Sequence, residues 1–249
     1  MSHATPALEI VGLNKVFGGL RATQDVNLHI VQGDRRLLIG PNGAGKTTLF
    51  NQITGDIIPT SGQIKLFGQD VSKLRPDQRA HLGLSRTYQI ITLFPKNTIL
   101  HNVALGLLGL SNERWNLFRP MARASHLHDE AQTILESVGL GAMSNKLVSQ
   151  IAYGEKRRLE IALALAQKPK VLLLDEPLAG LSTQERLTVK NLIANIPKET
   201  TVVLIEHDMD TALDLAESVT LLHYGKVIVD GTREDVISDP RTREVYLGQ

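Results

Sequence analysis

The sequence predicts an α/β fold: a parallel-sheet core joined to an antiparallel β subdomain and an inserted α-helical subdomain. Three observations predict it. A short apolar segment, "RRLLIG", runs directly into the glycine-rich "GPNGAGKTT" and then a helical stretch. From about residue 93 to 165 strand-like alternation disappears, and apolar residues recur at three- and four-residue spacing. From Val171 onward strands and helices alternate again, the rhythm of parallel strands linked by crossover helices.

Taken in order, Val26, Leu28 and Ile30 alternate with polar residues, as in a half-buried strand. After the Gly33-Asp34 turn, "RRLLIG" reads as a buried strand, and "TTLFNQIT" as a helix stopped by Gly55. Ile64–Phe67 is a short strand between the turn signals "SG" and "GQD". Antiparallel strands therefore pack beside the start of the parallel core. Thr98–Leu108, Ser125–Val138 and Glu155–Ala166 are predicted helices. "VLLLDEP", "TVVLIEH" and "VTLLH" are predicted strands, with helices from about Thr183 to Asn195 and near 209–216 between them. A hairpin at Tyr224-Gly225 and a helix capped at Thr232 follow. One domain is expected over 1–249: a nucleotide-binding core from about 1–92 and 166–249, and a helical subdomain over about 93–165.

Composition narrows the function classes. A net charge of +1 gives no nucleic-acid footprint and no polybasic membrane anchor. No cysteine is present, which excludes disulfides and cysteine-ligated zinc, and the histidines lack metal-ligand spacing. The apolar runs Val103–Leu110 and Val171–Leu174 are far short of the ~20 residues that span a bilayer. The expectation is a protein that does not cross a membrane, which leaves docking on one open.

Gly40 to Thr48 matches the phosphate-loop pattern G-x-x-x-x-G-K-[ST] between a predicted strand and a predicted helix. The expected nucleotide-binding residues are Gly40, Pro41, Asn42, Gly43, Ala44, Gly45, Lys46, Thr47 and Thr48. Glycines let the backbone turn several N–H groups toward the phosphates, and the following helix directs its positive end at the same oxygens. Lys46 adds a mobile charge, and the Thr47 hydroxyl can ligate Mg²⁺. By itself this loop says only that a nucleoside triphosphate binds.

"VLLLDEP" places two carboxylates at the C-terminal end of a strand, the edge where open α/β sheets bind ligands. Asp175 is expected to orient Mg²⁺ through water, and Glu176 to accept the proton of the attacking water as general base. His207 ends another apolar strand at that edge, within reach of the γ-phosphate and Glu176. Gln89, in "RTYQI", lies where the core passes into the helical subdomain.

These pieces in this order resemble the nucleotide-binding subunit of an ABC transporter, and the resemblance covers essentially the whole chain. It implies a P-loop NTPase core with a RecA-like parallel sheet, a Q-loop at Gln89, a signature at Ile151–Glu155, Walker B through Asp175 and Glu176, and a switch His207. Glu176, His207, Gln89 and Lys46 become the implied catalytic residues, and Thr47, Gln89 and Asp175 the residues that hold Mg²⁺. Two such subunits would face each other head to tail, each ATP lying between one P-loop and the partner's Ala152, Tyr153, Gly154 and Glu155. Phe17 falls where the family stacks an aromatic on adenine. The segments "VFGGLRA", "SRTYQIITLFP", "YGEKRRLEIALALA" and "EHDMD" are similar to the branched-chain amino-acid uptake group. Permease subunits, a second ATPase subunit and an extracytoplasmic solute-binding protein are the implied partners, at the cytoplasmic face of the inner membrane.

Two departures stand out. Ala152 replaces a serine whose hydroxyl meets the γ-phosphate, and Ser182 replaces the D-loop aspartate of segment 179–182. One lost hydroxyl contact to a charged oxygen costs on the order of 1–3 kcal/mol of ATP-dependent closure. A soluble non-transport cassette and a nucleotide-gated dimerisation module with one weak site remain open alternatives. The Asp-Glu-Pro sequence and the distant histidine disfavour a small-molecule kinase or a GTPase.

Overall fold

The structure, a computed structural model, describes residues 6–88, 93–111, 125–206 and 212–247. β1 (Leu8–Phe17) pairs antiparallel with both β2 (Leu20–Ile30) and β4 (Ser61–Leu66). With the two-residue β5 (Gln69–Asp70) they form a four-stranded sheet in the order β2-β1-β4-β5. The alternation read in Val26, Leu28 and Ile30 places these side chains inward, beside Leu8, Ile10 and Leu13 of β1. They pack on Leu49, Phe50 and Ile53 of α1 (Lys46–Thr54), whose last turn ends at Gly55 in the left-handed conformation.

β3 (Arg35–Ile39), β7 (Val171–Asp175) and β8 (Thr201–Ile205) are buried at every position. Parallel strands covered on both faces have no solvent side, so β7 reads as an apolar run up to Asp175, while β3 opens on the buried Arg35 and Arg36. β6 (Leu84–Arg86), β9 (Ser218–His223) and β10 (Lys226–Thr232) complete a six-stranded sheet ordered β10-β9-β3-β8-β7-β6, in which only β10 runs antiparallel to its neighbour. Alternate residues serve opposite layers. Leu38, Leu173 and Val203 face the β subdomain, while Leu37, Leu172 and Leu204 face the layer holding Val189 and Ile193 of α6 (Thr183–Ala194). Tyr224 and Gly225, with φ of 46° and 75°, make the expected tight hairpin between β9 and β10.

A third core is built mainly from helices. Ile99, Val103 and Leu107 of α3 (Ile99–Leu110) and Leu127, Ala131 and Leu135 of α4 (Ser125–Ser137) recur every fourth residue on facing stripes. α5 (Tyr153–Ala166) adds Leu159, Ala162 and Ala166 to it, while its Ile161 and Ala164 pack on the strand core. α5 is therefore buried on two sides and mechanically joins the helices to the sheet. Of the helix expected near 209–216, positions 209–211 lie outside the described residues, and Leu213–Leu215 forms a single 3-10 turn. Thr232 caps α7 (Arg233–Ser238), its hydroxyl accepting from the Asp235 N–H at 3.2 Å. A short α2 (Pro76–His81) and a final α8 (Pro240–Leu247) were not anticipated in the sequence.

Candidate functional site

β3 delivers the chain into the phosphate loop, and two glycines there have no substitute. Gly40 and Gly45 have φ of 151° and 103°. A Cβ on Gly40 would stand 2.1 Å from the Leu222 carbonyl oxygen, and one on Gly45 2.4 Å from that of Ala22. The loop is thus pressed against β9 on one side and β2 on the other. Gly45 occupies the N-cap of α1 with no side-chain cap, so the helix start is built to meet an anion. Lys46 Nζ donates to the carbonyls of Gly40 at 2.6 Å and Pro41 at 3.0 Å. Burial lowers its pKa, and the nearby carboxylates of Glu176 and Asp175 oppose that shift.

Asn42 through Thr48 line a cavity of about 720 Å³ together with Leu20, Arg21, Tyr224 and Glu176. That volume lies in the range of small-molecule and cofactor sites. Phe17, expected against the base, sits at the end of β1 opposite Leu20, with Lys15 Nζ 4.9 Å from its ring centroid. Gly19, Leu20 and Arg21, rather than Phe17, line the cavity on that side.

The C-terminal end of β7 brings Asp175 level with Ile205 of β8. Asp175 is fully buried, with Oδ2 accepting from Arg86 Nη2 at 2.6 Å. Its Oδ1 is buried and has no hydrogen-bond partner among the described residues. Glu176 follows in the left-handed conformation at φ 49°. Such a backbone costs a non-glycine residue about 1–3 kcal/mol and persists only where its surroundings hold it. Here its N–H donates to the Ile205 carbonyl at 3.0 Å, and its own carbonyl accepts from the Ala179 N–H at 3.1 Å. Gln89 and His207 lie outside the described residues. Their neighbours are placed: Glu206 Oε1 accepts from the Leu178 N–H at 2.8 Å, just beyond Glu176.

The signature segment opens α5. Ala152 is the N-cap, and Glu155 Oε2 reaches back to its N–H at 2.7 Å. This is half a capping box, because alanine has no oxygen to return to the first-turn N–H groups. Ala152→Ser supplies that oxygen and is expected to stabilise the chain by about 0.5–1 kcal/mol. The measurement is the shift in urea unfolding midpoint; an unchanged midpoint would show that the hydroxyl leaves the helix start alone. Tyr153 is half-exposed and lies against Gly180, which a Cβ would bring to 3.3 Å from its ring. Ser182 caps α6, donating from its N–H to Glu185 Oε2 at 2.9 Å. Glu185 also crowds Gly154, whose Cβ would lie 2.3 Å from Oε1. The Ser182 hydroxyl, ahead of backbone donors that include Gly154, lowers the pKa of Glu185.

A model of the ABC transporter family matches residues 23–179. The chain belongs to the ABC transporter family. The high-affinity branched-chain amino acid transport ATP-binding protein BraF of Pseudomonas aeruginosa is 38% identical over 251 residues, covering 98% of both chains. LivG of Escherichia coli, of the same description, is 37% identical over 253 residues with the same coverage. The ADP conformation of MJ1267, an ATP-binding cassette of an ABC transporter, superposes with a TM-score of 0.87 at 28% identity, covering 98% of this chain and 99% of that one. The dimeric bacterial ABC transporter cassette MJ0796 gives a TM-score of 0.78 at 25% identity, over 91% and 98% of the two chains. This ABC cassette is an ATPase with the P-loop NTPase fold, and it binds nucleotide. Three of its buried arginines, Arg79, Arg86 and Arg157, were not singled out in the sequence. Their partners are mostly backbone carbonyls and distant side chains, which leave no spacing signal.

Proposed function

We propose that the chain is the ATP-hydrolysing subunit of an importer for branched-chain amino acids or related small polar solutes. The observation that carries this reading is the phosphate-loop cavity with Lys46 at its floor and the Glu176 carboxylate in its wall. Near full-length likeness to BraF and LivG supports the cargo class. On this reading about 1–92 and 166–249 make up the nucleotide-binding core, and about 93–165 the helical subdomain that carries the signature.

The loop Gly40–Thr48 cradles the phosphates, with Lys46 transferring its hydrogen bonds from the Gly40 and Pro41 carbonyls to phosphate oxygens. The donor set fits Mg²⁺. Asp175 holds one buried carboxylate oxygen without a hydrogen-bond partner among the described residues, and Thr47 offers a hydroxyl in the first turn of α1. Among the described residues no three His, Cys, Asp or Glu side chains converge as an all-protein cage, and Mg²⁺ commonly keeps water and substrate phosphates in its shell. When bound, Mg²⁺ neutralises charge developing on the phosphates. Thr47, Gln89 and Asp175 would hold it, Glu176 would take the proton of the attacking water, and His207 would steady the γ-phosphate.

A second ATPase subunit, the same chain or a paralogue, closes the site with Ala152, Tyr153, Gly154 and Glu155. Permease subunits dock beside the Q-loop, where Tyr88, Leu93, Phe94, Leu105 and Leu163 line a 290 Å³ groove between the core and the helices. Among the described residues no helix is long and apolar enough to cross a membrane, which accords with peripheral attachment at the cytoplasmic face. A solute-binding protein outside the membrane delivers cargo to the permease. The decisive measurement is steady-state phosphate release with and without candidate cognate permease subunits. Stimulation is expected; indifference to every candidate permease favours a soluble cassette.

A further inference from the structure

The buried guanidinium of Arg157 joins three segments that the chemistry uses. Arg157 lies in the second turn of α5, a few residues beyond the signature, and is 1% exposed. Its Nη2 donates to the backbone carbonyl of Glu176 at 2.8 Å. Its Nη1 donates to Glu160 Oε2 at 2.9 Å and approaches the carbonyl of Tyr88, the residue before Gln89, at 3.4 Å. Glu160 comes from the next turn of the same helix and is itself buried, which raises its pKa while Arg157 opposes the shift. The Glu160 carboxylate and α5 therefore fix the guanidinium before it reaches the strand edge.

What it reaches is the strained position. Glu176 needs its peptide planes held to keep φ at 49°, and its N–H is already tied to β8 through Ile205. Its carbonyl is held by Ala179 and by Arg157, and of the two only Arg157 comes from outside the local turn. A rotation of that peptide would swing the carboxylate that must face the attacking water. Arginine suits this task because its planar fork serves several acceptors at once with fixed geometry.

We infer that Arg157 is a positioning residue, which holds the backbone of Glu176 in its reactive conformation and ties it to the signature helix and to the segment entering Gln89. It is not among the residues that line the phosphate-loop cavity. This inference rests on the reading of Glu176 as general base.

The test compares Arg157→Lys and Arg157→Met, alone and combined with Glu176→Gln. Lysine keeps a charge beside Glu160 but cannot serve two carbonyls from fixed directions. Its kcat is expected to fall about tenfold, and that of the methionine variant further. The KM for ATP is expected to stay within about twofold in both. In single-turnover assays the losses from Arg157→Lys and Glu176→Gln are expected to be far from additive, because one residue acts through the other. Wild-type kcat in both arginine variants, additive losses, or a KM that rises as kcat falls would each overturn the assignment. Full turnover in Glu176→Gln overturns the general-base reading instead, which keeps the two failures distinct.

Discussion

Glu176→Gln is expected to bind ATP and to lose nearly all turnover, with kcat down by about 10²–10⁴, the usual contribution of a positioned general base. The substitution keeps shape and removes only basicity, so the left-handed backbone and its bonds to Ile205, Ala179 and Arg157 have no reason to move. Binding is expected to survive because the proposed phosphate contacts come from elsewhere: the backbone from Gly40 to Gly45, the start of α1 and Lys46. Burial lowers the pKa of Lys46, and Glu176 is only one of the two carboxylates that oppose it. Asp175 remains to oppose that lowering, and bound phosphate would add more negative charge. Removing a carboxylate from the cavity wall also relieves repulsion against the γ-phosphate. The variant should therefore accumulate as an ATP-bound dimer in size-exclusion runs with ATP, while phosphate release stays near background. Unimpaired steady-state hydrolysis removes Glu176 as the base.

How much of this was legible follows from where each signal lives in the chain. The phosphate loop was legible because its geometry is local. Gly40, Gly43 and Gly45 all adopt positive φ, and the residues that need each other are adjacent. The parallel strands were legible because burial on both faces leaves an unbroken apolar run such as "VLLLD". β6 was not, because three residues carry no periodicity and its place beside β7 is fixed by tertiary contact. α5 was read as a helix opening on the signature, with no role for Arg157, yet that side chain is almost wholly buried. Arginine composition predicts a solvated surface. What reverses it is a set of carbonyls contributed by residues 19 and 69 positions away. Asp175 was assigned from its place at a strand end, while its pairing with Arg86 of β6 depends on the sheet order and has no local trace. Contacts made along the chain leave a spacing; those made across the fold do not.

Arg79 is the extreme case of such a hidden contact, and Arg79→Met is expected to cost about 3–5 kcal/mol of folding stability. The side chain is fully buried although it begins on a short surface helix. Its Nη1 donates to the carbonyls of Gln52 at 2.6 Å and Ile53 at 2.7 Å, in the last turn of α1. Nε and Nη2 donate to Leu74 and Ser72 at 3.0 and 3.1 Å. The positive charge thus sits at the negative end of the helix that carries Lys46, where helix dipole and free carbonyls both favour it. Burial lowers its pKa to about 10, so the group stays charged at neutral pH. Methionine fills the same channel with an unbranched apolar stem but leaves these buried acceptors without their donor. Gln52 keeps a bond from the Gly55 N–H at 3.3 Å, whereas no other donor to the Leu74 or Ser72 carbonyl is found among the described backbone contacts. Arg79→Lys should recover part of the loss and no more, since one ammonium cannot span acceptors that lie on several sides. Urea unfolding monitored by circular dichroism reads both variants. A loss below about 1 kcal/mol for the methionine variant would mean that water takes over the carbonyls, and that the end of α1 does not depend on this arginine.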